Sequence, residues 1–211
     1  MADDIGLFEA IYTQKAIRRL KPDPVPDELI DKLLDAAIRA PSGGNQQPWS
    51  FIVIKDPETK KKIGEWYLDA WNQTYDRIPQ EQRDKFEPPF ARVYRSAQHL
   101  AHHMGEAPVQ VLVCARATPV PNAIVGASHY GSIFPAVQNL LLAARGLGLG
   151  ACLTTLHKMH EQEVKDLLGI PENIETVALI PVGYPLGRYG PVERRPVEEV
   201  VHRERWDASR A

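Results

Sequence analysis

Three cations fall within five residues, Lys15, Arg18 and Arg19, just before the stiff segment Lys-Pro-Asp-Pro-Val-Pro at 21–26. Cations grouped in this way can hold a phosphate through charge-assisted hydrogen bonds. Taken alone, such a run more often marks a solvated basic turn. The stretch 41–49, Pro-Ser-Gly-Gly-Asn-Gln-Gln-Pro-Trp, is a second candidate. Gly43 and Gly44 would let the backbone approach a ligand closely. Ser42, Asn45 and Gln47 supply neutral donors and acceptors suited to the polar edge of a heterocycle or to a polyol chain. The same residue types also make an ordinary turn between a helix and a strand.

The glycines at 146, 148 and 150 resemble a dinucleotide fingerprint but stand in the wrong context, since they follow an apolar helical stretch and precede a strand. A GxGxxG motif must instead follow a strand and open a helix, so these glycines read as a helix end and a tight turn. Thr154 and Thr155 end the short apolar run after them. Their hydroxyls could reach a ligand, although threonine is also a good strand residue. Arg194 and Arg195 stand in a polar tail, where an arginine could close over a phosphate or remain in solvent. His99, His102 and His103 share one helix face, and His157 and His160 lie three apart. No HExxH motif or completing carboxylate accompanies them, so no metal site is expected. No GxSxG elbow anchors a serine hydrolase.

The elements that must position these residues are legible from spacing. Leu29, Ile30, Leu33, Leu34 and Ala37 predict a helix that starts at Asp27 and stops before Pro41. Residues 49–54, 109–115, 151–155 and 175–182 predict four strands. Residues 58–104 predict amphipathic helix interrupted at Pro79 and at Pro88-Pro89. The stretch 118–131 reads as irregular, 132–147 as the most apolar helix, and 161–168 as a short helix. Residues 7–14 form a weaker helical candidate. The tail from Leu186 has no core segment and suits wrapping on a partner subunit. Strands and helices mixed along the chain give an α+β or α/β layer architecture.

Composition narrows the function classes. The chain has 211 residues, 44% hydrophobic and 25% charged, with net charge −2. That is one domain with an ordinary core. It has no large basic field, so nucleic acid is not an expected partner. Two cysteines, Cys114 and Cys152, fit a reducing compartment. The N-terminus lacks a signal-peptide pattern. No apolar run approaches the roughly 18–20 residues of a membrane helix. The expectation is a soluble cytoplasmic protein with no membrane partner.

The order of these pieces resembles the flavin-dependent nitroreductase superfamily. It runs from the basic segment into the proline connector, then to Ala40-Pro41-Ser42-Gly43-Gly44-Asn45-Gln46-Gln47-Pro48-Trp49 and its strand. The helix with Gln138-Asn139-Leu140-Leu141-Leu142-Ala143-Ala144 follows and ends in Gly148-Leu149-Gly150. Pro181-Val182-Gly183-Tyr184-Pro185 and Arg194-Arg195-Pro196 come last. The resemblance covers nearly the whole chain and is weakest over 60–105. It implies a single α+β, nitroreductase-like domain over 1–211, a central mixed sheet flanked by helices, and an arm-exchanged homodimer. In it, 60–105 would be a variable lid and 186–211 an arm on the partner subunit. It also implies non-covalent FMN at the dimer interface, with NAD(P)H as donor in a ping-pong cycle. The acceptor would be an electron-poor nitroaromatic, quinone, enone or halophenol.

Carried over by position, Arg18 should lie at the flavin's N1/O2 edge or its phosphate. Gln14 and Ala16 replace an Arg and a Ser of the family's phosphate-binding pattern, with Lys15 or Arg19 left to compensate. Ser42, Gly43, Asn45 and Gln47 match the loop along the flavin. Thr154 and Thr155 match the segment at N5, with Thr155 the catalytic candidate. Arg194 matches a tail arginine at the phosphate, and Ser132 would approach from the second subunit. Gly44, Trp66, Trp71 and Tyr75 are the expected acceptor contacts. The similarity extends to iodotyrosine deiodinase, but no lysine completes that enzyme's clamp on a zwitterionic substrate. A non-catalytic FMN store, a flavin-consuming enzyme of the cobalamin lower-ligand type, and a metal hydrolase built on His99–His103 remain as alternatives.

Overall fold

A continuous apolar run forms the middle of the sheet, because a strand covered on both faces needs no polar alternation. This is β2 (Val109–Arg116), buried everywhere except at Arg116. In the computed structural model, which describes residues 5–118 and 122–207, β2 pairs antiparallel with β1 (Trp49–Ile54) and with β4 (Ile174–Gly183). The two-residue β3 (Gly150–Ala151) pairs with the end of β4, giving the order β1-β2-β4-β3.

Side-chain alternation along these strands feeds two cores. On one face Val109, Val111, Val113 and Ala115 meet Leu33 and Ala37 of α2 (Asp27–Ala37) and Leu140 and Ala144 of α6 (Ala123–Gly146). On the other, Leu112, Cys114 and Leu179 meet Ile63, Tyr67 and Trp71 of α3 (Pro57–Thr74). Leu100 and Ala101 of α5 (Pro88–His103) complete that second core. Helix α3 starts where Asp56 accepts a hydrogen bond from the Thr59 amide (2.8 Å), with Pro57 at its first turn. The short α4 (Gln80–Arg83) bridges the two long helices. Helix α7 (Glu161–Leu168) leads into β4, α1 (Leu7–Thr13) packs on α6, and α8 (Val197–Val200) lies in the tail.

Two expectations are corrected. The stretch read as irregular is largely helix, because α6 begins at Ala123 rather than 132. Asn122 caps it by accepting from the Val125 amide (3.1 Å), and burial of His129, Ser132, Ile133 and Ala136 overrides Gly126, Gly131 and Pro135. Residues 119–121 of that stretch lie outside the described residues. The strand expected over 151–155 is also shorter. The chain leaves the ladder after Ala151 and touches β4 again only at Thr154, opposite Leu179.

The basic segment is bound to the sheet's end. The Ile17 amide donates to the Ala151 carbonyl (3.0 Å) and the Lys21 amide to the Tyr184 carbonyl (2.7 Å). Gly150 permits this approach, since a Cβ there would stand 2.6 Å from Cγ2 of Ile17. The tail leaves nearby. Tyr189 lies under the Arg145 guanidinium at 4.3 Å, and the Val192 amide donates to the Tyr12 carbonyl (3.0 Å). Residues 1–4, and 208–211 of the expected arm, lie outside the described residues.

Candidate functional site

Eight of the predicted residues line two clefts that share no lining residue. The first, about 840 Å³, is lined by Gly43, Gln47, Trp49, Arg116, His129 and Ser132, among others. The second, about 280 Å³, is lined by Arg18, Thr154 and Thr155 with Tyr67, Trp71, Tyr75, Phe90, Val93 and Tyr94.

In the first cleft the 41–48 loop is pinned to α6. The Gly43 amide donates to Oγ of Ser132 (3.1 Å), and that hydroxyl donates to the Ser128 carbonyl (2.8 Å). A Cβ at Gly43 would stand 2.6 Å from Oγ of Ser128, so a larger residue would displace either the loop or that side chain. The Ser42 hydroxyl accepts from the Gln47 amide (3.0 Å), and the side-chain Oδ1 of Asn45 accepts from Nε2 of Gln47 (3.2 Å). Beside Gly44, Asn45 (φ 54°) and Gln47 (φ 48°) occupy the left-handed region. For a non-glycine residue this costs on the order of 1–3 kcal/mol, a strain that concentrates at ligand-binding sites. His129 is buried, with Nε2 2.7 Å from Oε1 of Glu175. Sequence reasoning missed His129 because the stretch around it was read as irregular.

In the second cleft the two threonines separate. Thr154 is buried and its hydroxyl donates to the Leu179 carbonyl (2.7 Å), so it holds the backbone. Thr155 is exposed and faces the cleft. Among the lining residues Arg18 alone carries a formal charge. Cys152 sits beside it, and burial pushes that thiol's pKa up against the pull of the Arg18 guanidinium. Burial likewise raises the Tyr67 phenol to about 12. Neither group is set for acid–base work near neutrality.

The other candidates lie elsewhere. Trp66 is outside both clefts, stacked on His160 with the Lys62 ammonium over its ring. Phe90, Val93 and Tyr94 line the second cleft in its stead. Lys15 is half-buried and Arg19 exposed, and neither lines a cleft; nor do Ser42, Gly44 and Asn45. Arg194 is exposed and donates to the Glu193 carbonyl (2.8 Å). The His99 and His103 rings lie 4.2 Å apart, tilted by 34°. Among the described residues no group of three or more His, Cys, Asp or Glu side chains could hold a metal ion, and no helix is long and apolar enough to cross a membrane.

Residues 11–184 match the nitroreductase family. A Methanothermobacter thermautotrophicus protein named for NADH dehydrogenase/NAD(P)H nitroreductase activity is 30% identical over 206 residues, covering 96% of this chain and 88% of its own. A Thermus thermophilus NADH dehydrogenase is 33% identical over 201 residues, covering 91% and 93%. The crystal structure of oxidized iodotyrosine deiodinase bound to FMN and 3-iodo-L-tyrosine superposes with TM-score 0.74 at 25% identity, covering 95% of this chain and 100% of that one. The chain belongs to the nitroreductase family and is an oxidoreductase of the NAD(P)H nitroreductase/NADH dehydrogenase type.

Proposed function

Within that family, we propose that the chain carries a hydride from NAD(P)H to a planar, electron-poor acceptor such as a nitroarene, quinone, enone or halophenol. FMN would be the carrier, held without a covalent bond between two copies of the chain. The observation that carries this reading is the division of the site into two clefts. One is lined by Gly43, Ser50, Ser128 and Ser132 together with Arg116, His129 and Trp49, the other by Arg18 and an aromatic wall. Each would supply one side of a flat, phosphorylated heterocycle, the first from one copy and the second from its partner. The exposed apolar residues suit that assembly: Leu7 and Phe8 are 67% exposed, Ile124 80% and Trp206 73%. The arm over 186–207 and the lid over 60–105 belong to the same proposal.

The residues present fit FMN. The strained 43–47 loop presents the Gly43 and Gln47 region to a ligand edge. Arg18, in the second cleft, would supply a fixed positive charge to a bound ring that gains negative charge on reduction. Thr155 offers a hydroxyl and a backbone amide at the same ring. Lys15, Arg19 and Arg194 are the cations available for the phosphate, in place of the Arg and Ser absent at Gln14 and Ala16. FMN, when bound, supplies the two-electron chemistry. The chain orients the partners and shields them from water with Trp71, Tyr75, Phe90 and Tyr94. Deiodination of a zwitterionic amino acid finds no support, because no carboxylate or ammonium lines the aromatic cleft.

The test is the visible spectrum of the purified protein before and after anaerobic NADH or NADPH. Flavin bands that bleach support the reading. A protein that takes up no FMN, or whose FMN is not reduced, contradicts it.

A further inference from the structure

Four donors converge on a single carboxylate oxygen in the turn after α3. Oδ1 of Asp76 accepts from the Tyr94 hydroxyl (2.9 Å), Nε1 of Trp71 (3.2 Å), the Arg83 guanidinium (3.2 Å) and Nε2 of Gln98 (3.4 Å). The donors come from the end of α3, from α4 and from α5. Arg83 also donates to the Tyr94 hydroxyl (3.3 Å), so that phenol is fixed as donor and acceptor at once.

The rings tied to this oxygen form the wall of the aromatic cleft. Trp71 and Tyr94 line it directly. The Trp71 ring lies 4.6 Å from Tyr75 and 5.3 Å from Tyr94. Phe86 lies 4.7 Å from Phe90 and 5.4 Å from Tyr94. A buried indole N–H or phenol O–H needs a partner, and the partner's position sets the plane of the ring. One oxygen that satisfies both leaves Trp71 and Tyr94 little freedom to turn. The Asp76 side chain is 29% exposed, with its Oδ1 turned toward these donors.

We propose that Asp76 is a positioning residue for the acceptor: it locks the aromatic wall and so makes the cleft selective for planar aromatic acceptors. This rests on the reading of the aromatic cleft as the acceptor side of the flavin.

The test uses FMN-loaded full-length wild type, Asp76→Ala, Asp76→Asn and Tyr94→Phe. Two acceptors are compared at saturating NADH: menadione, a planar quinone, and ferricyanide, an inorganic oxidant that gains nothing from an aromatic wall. Loss of hydrogen bonds to a charged group should raise the menadione KM about tenfold in Asp76→Ala, with the ferricyanide KM unchanged. Asp76→Asn keeps an acceptor oxygen and recovers most of the menadione KM. Tyr94→Phe, which keeps the ring, shows a smaller rise of the same kind and carries the test should Asp76→Ala fail to fold. A parallel change for both acceptors, or no change for either, overturns the proposal. Menadione titration of the oxidised holoproteins, read by tryptophan fluorescence, decides the matter without turnover. If wild type binds menadione no more tightly than the variants, Asp76 has no such role. If wild type holds FMN but NADH and NADPH do not reduce it, the functional reading fails, while the titration still judges Asp76.

Discussion

The two faces of the sheet are built on different principles. The α2/α6 face packs small and branched aliphatics, such as Ala37, Leu33, Leu140 and Ala144, against β2 valines. Its cleft is lined by Gly43 and three serines, with Arg116, His129 and Trp49 beside them. The α3/α5 face packs large rings, Tyr67, Trp71 and Tyr94, and keeps its polar groups inside. His157 faces Thr176 (3.1 Å), Glu161 accepts from the Thr176 amide (2.8 Å), and Asp76 gathers its four donors. On the proposed reading, the small-residue face would fix backbone for hydrogen bonds to a ligand edge. The aromatic face supplies area, and its internal polar contacts hold the rings in place.

That contrast can be sharpened first through His157, where the largest effect is expected. Burial pushes this imidazole down from 6.5 to about 4. Between those values the unfolded chain binds a proton that the folded chain refuses. Stability is therefore complete above about pH 6.5 and falls as pH drops toward about 4, by at most about 3 kcal/mol. His157→Gln should flatten the slope of melting temperature against pH in this window. An unchanged slope would remove His157 from the account of that face.

On the other face Gly43→Val should weaken FMN binding by about a hundredfold, the equivalent of overpacking by 1–3 kcal/mol. The melting temperature should fall little, because the loop is exposed. Equilibrium dialysis with FMN checks this, and a large stability loss without a binding defect would contradict it. The smallest effects separate two aromatics of one helix. Tyr75→Ala should raise the KM for a planar acceptor a fewfold, whereas Trp66→Ala should leave it unchanged, because Tyr75 lines the cleft and Trp66 packs on His160.

The Trp66 placement also shows what the sequence contained unused. Tyr67, Trp71 and Tyr75 are spaced by four and share a helix face, while Trp66 lies about 100° around the helix from Tyr67. Helical spacing therefore carried the signal that separates them. The sheet, α2 and the basic segment were legible because apolar period, proline and charge mark them directly. The start of α6 was not, because Gly126, Gly131 and Pro135 read as breakers until the burial around them is known. Asp76 was invisible for a different reason. Its partners, at 71, 83, 94 and 98, meet only after three helices have packed. The division of the candidate residues into two clefts likewise needs three dimensions, since Arg18 and Gly43 are close in sequence and belong to different clefts.

The central claim is that one flavin site is completed by two copies of the chain. Co-expression of an Arg18→Ala chain with a Gly43→Val chain, each carrying a different affinity tag, tests it most directly. Each variant alone damages both sites of its homodimer. In the mixed dimer one site combines the intact Arg18 of one chain with the intact Gly43 of the other. Doubly purified mixed dimer should then hold one tightly bound FMN that NADH or NADPH bleaches, while either homodimer holds almost none. A mixed dimer as empty as its parents would contradict the shared site.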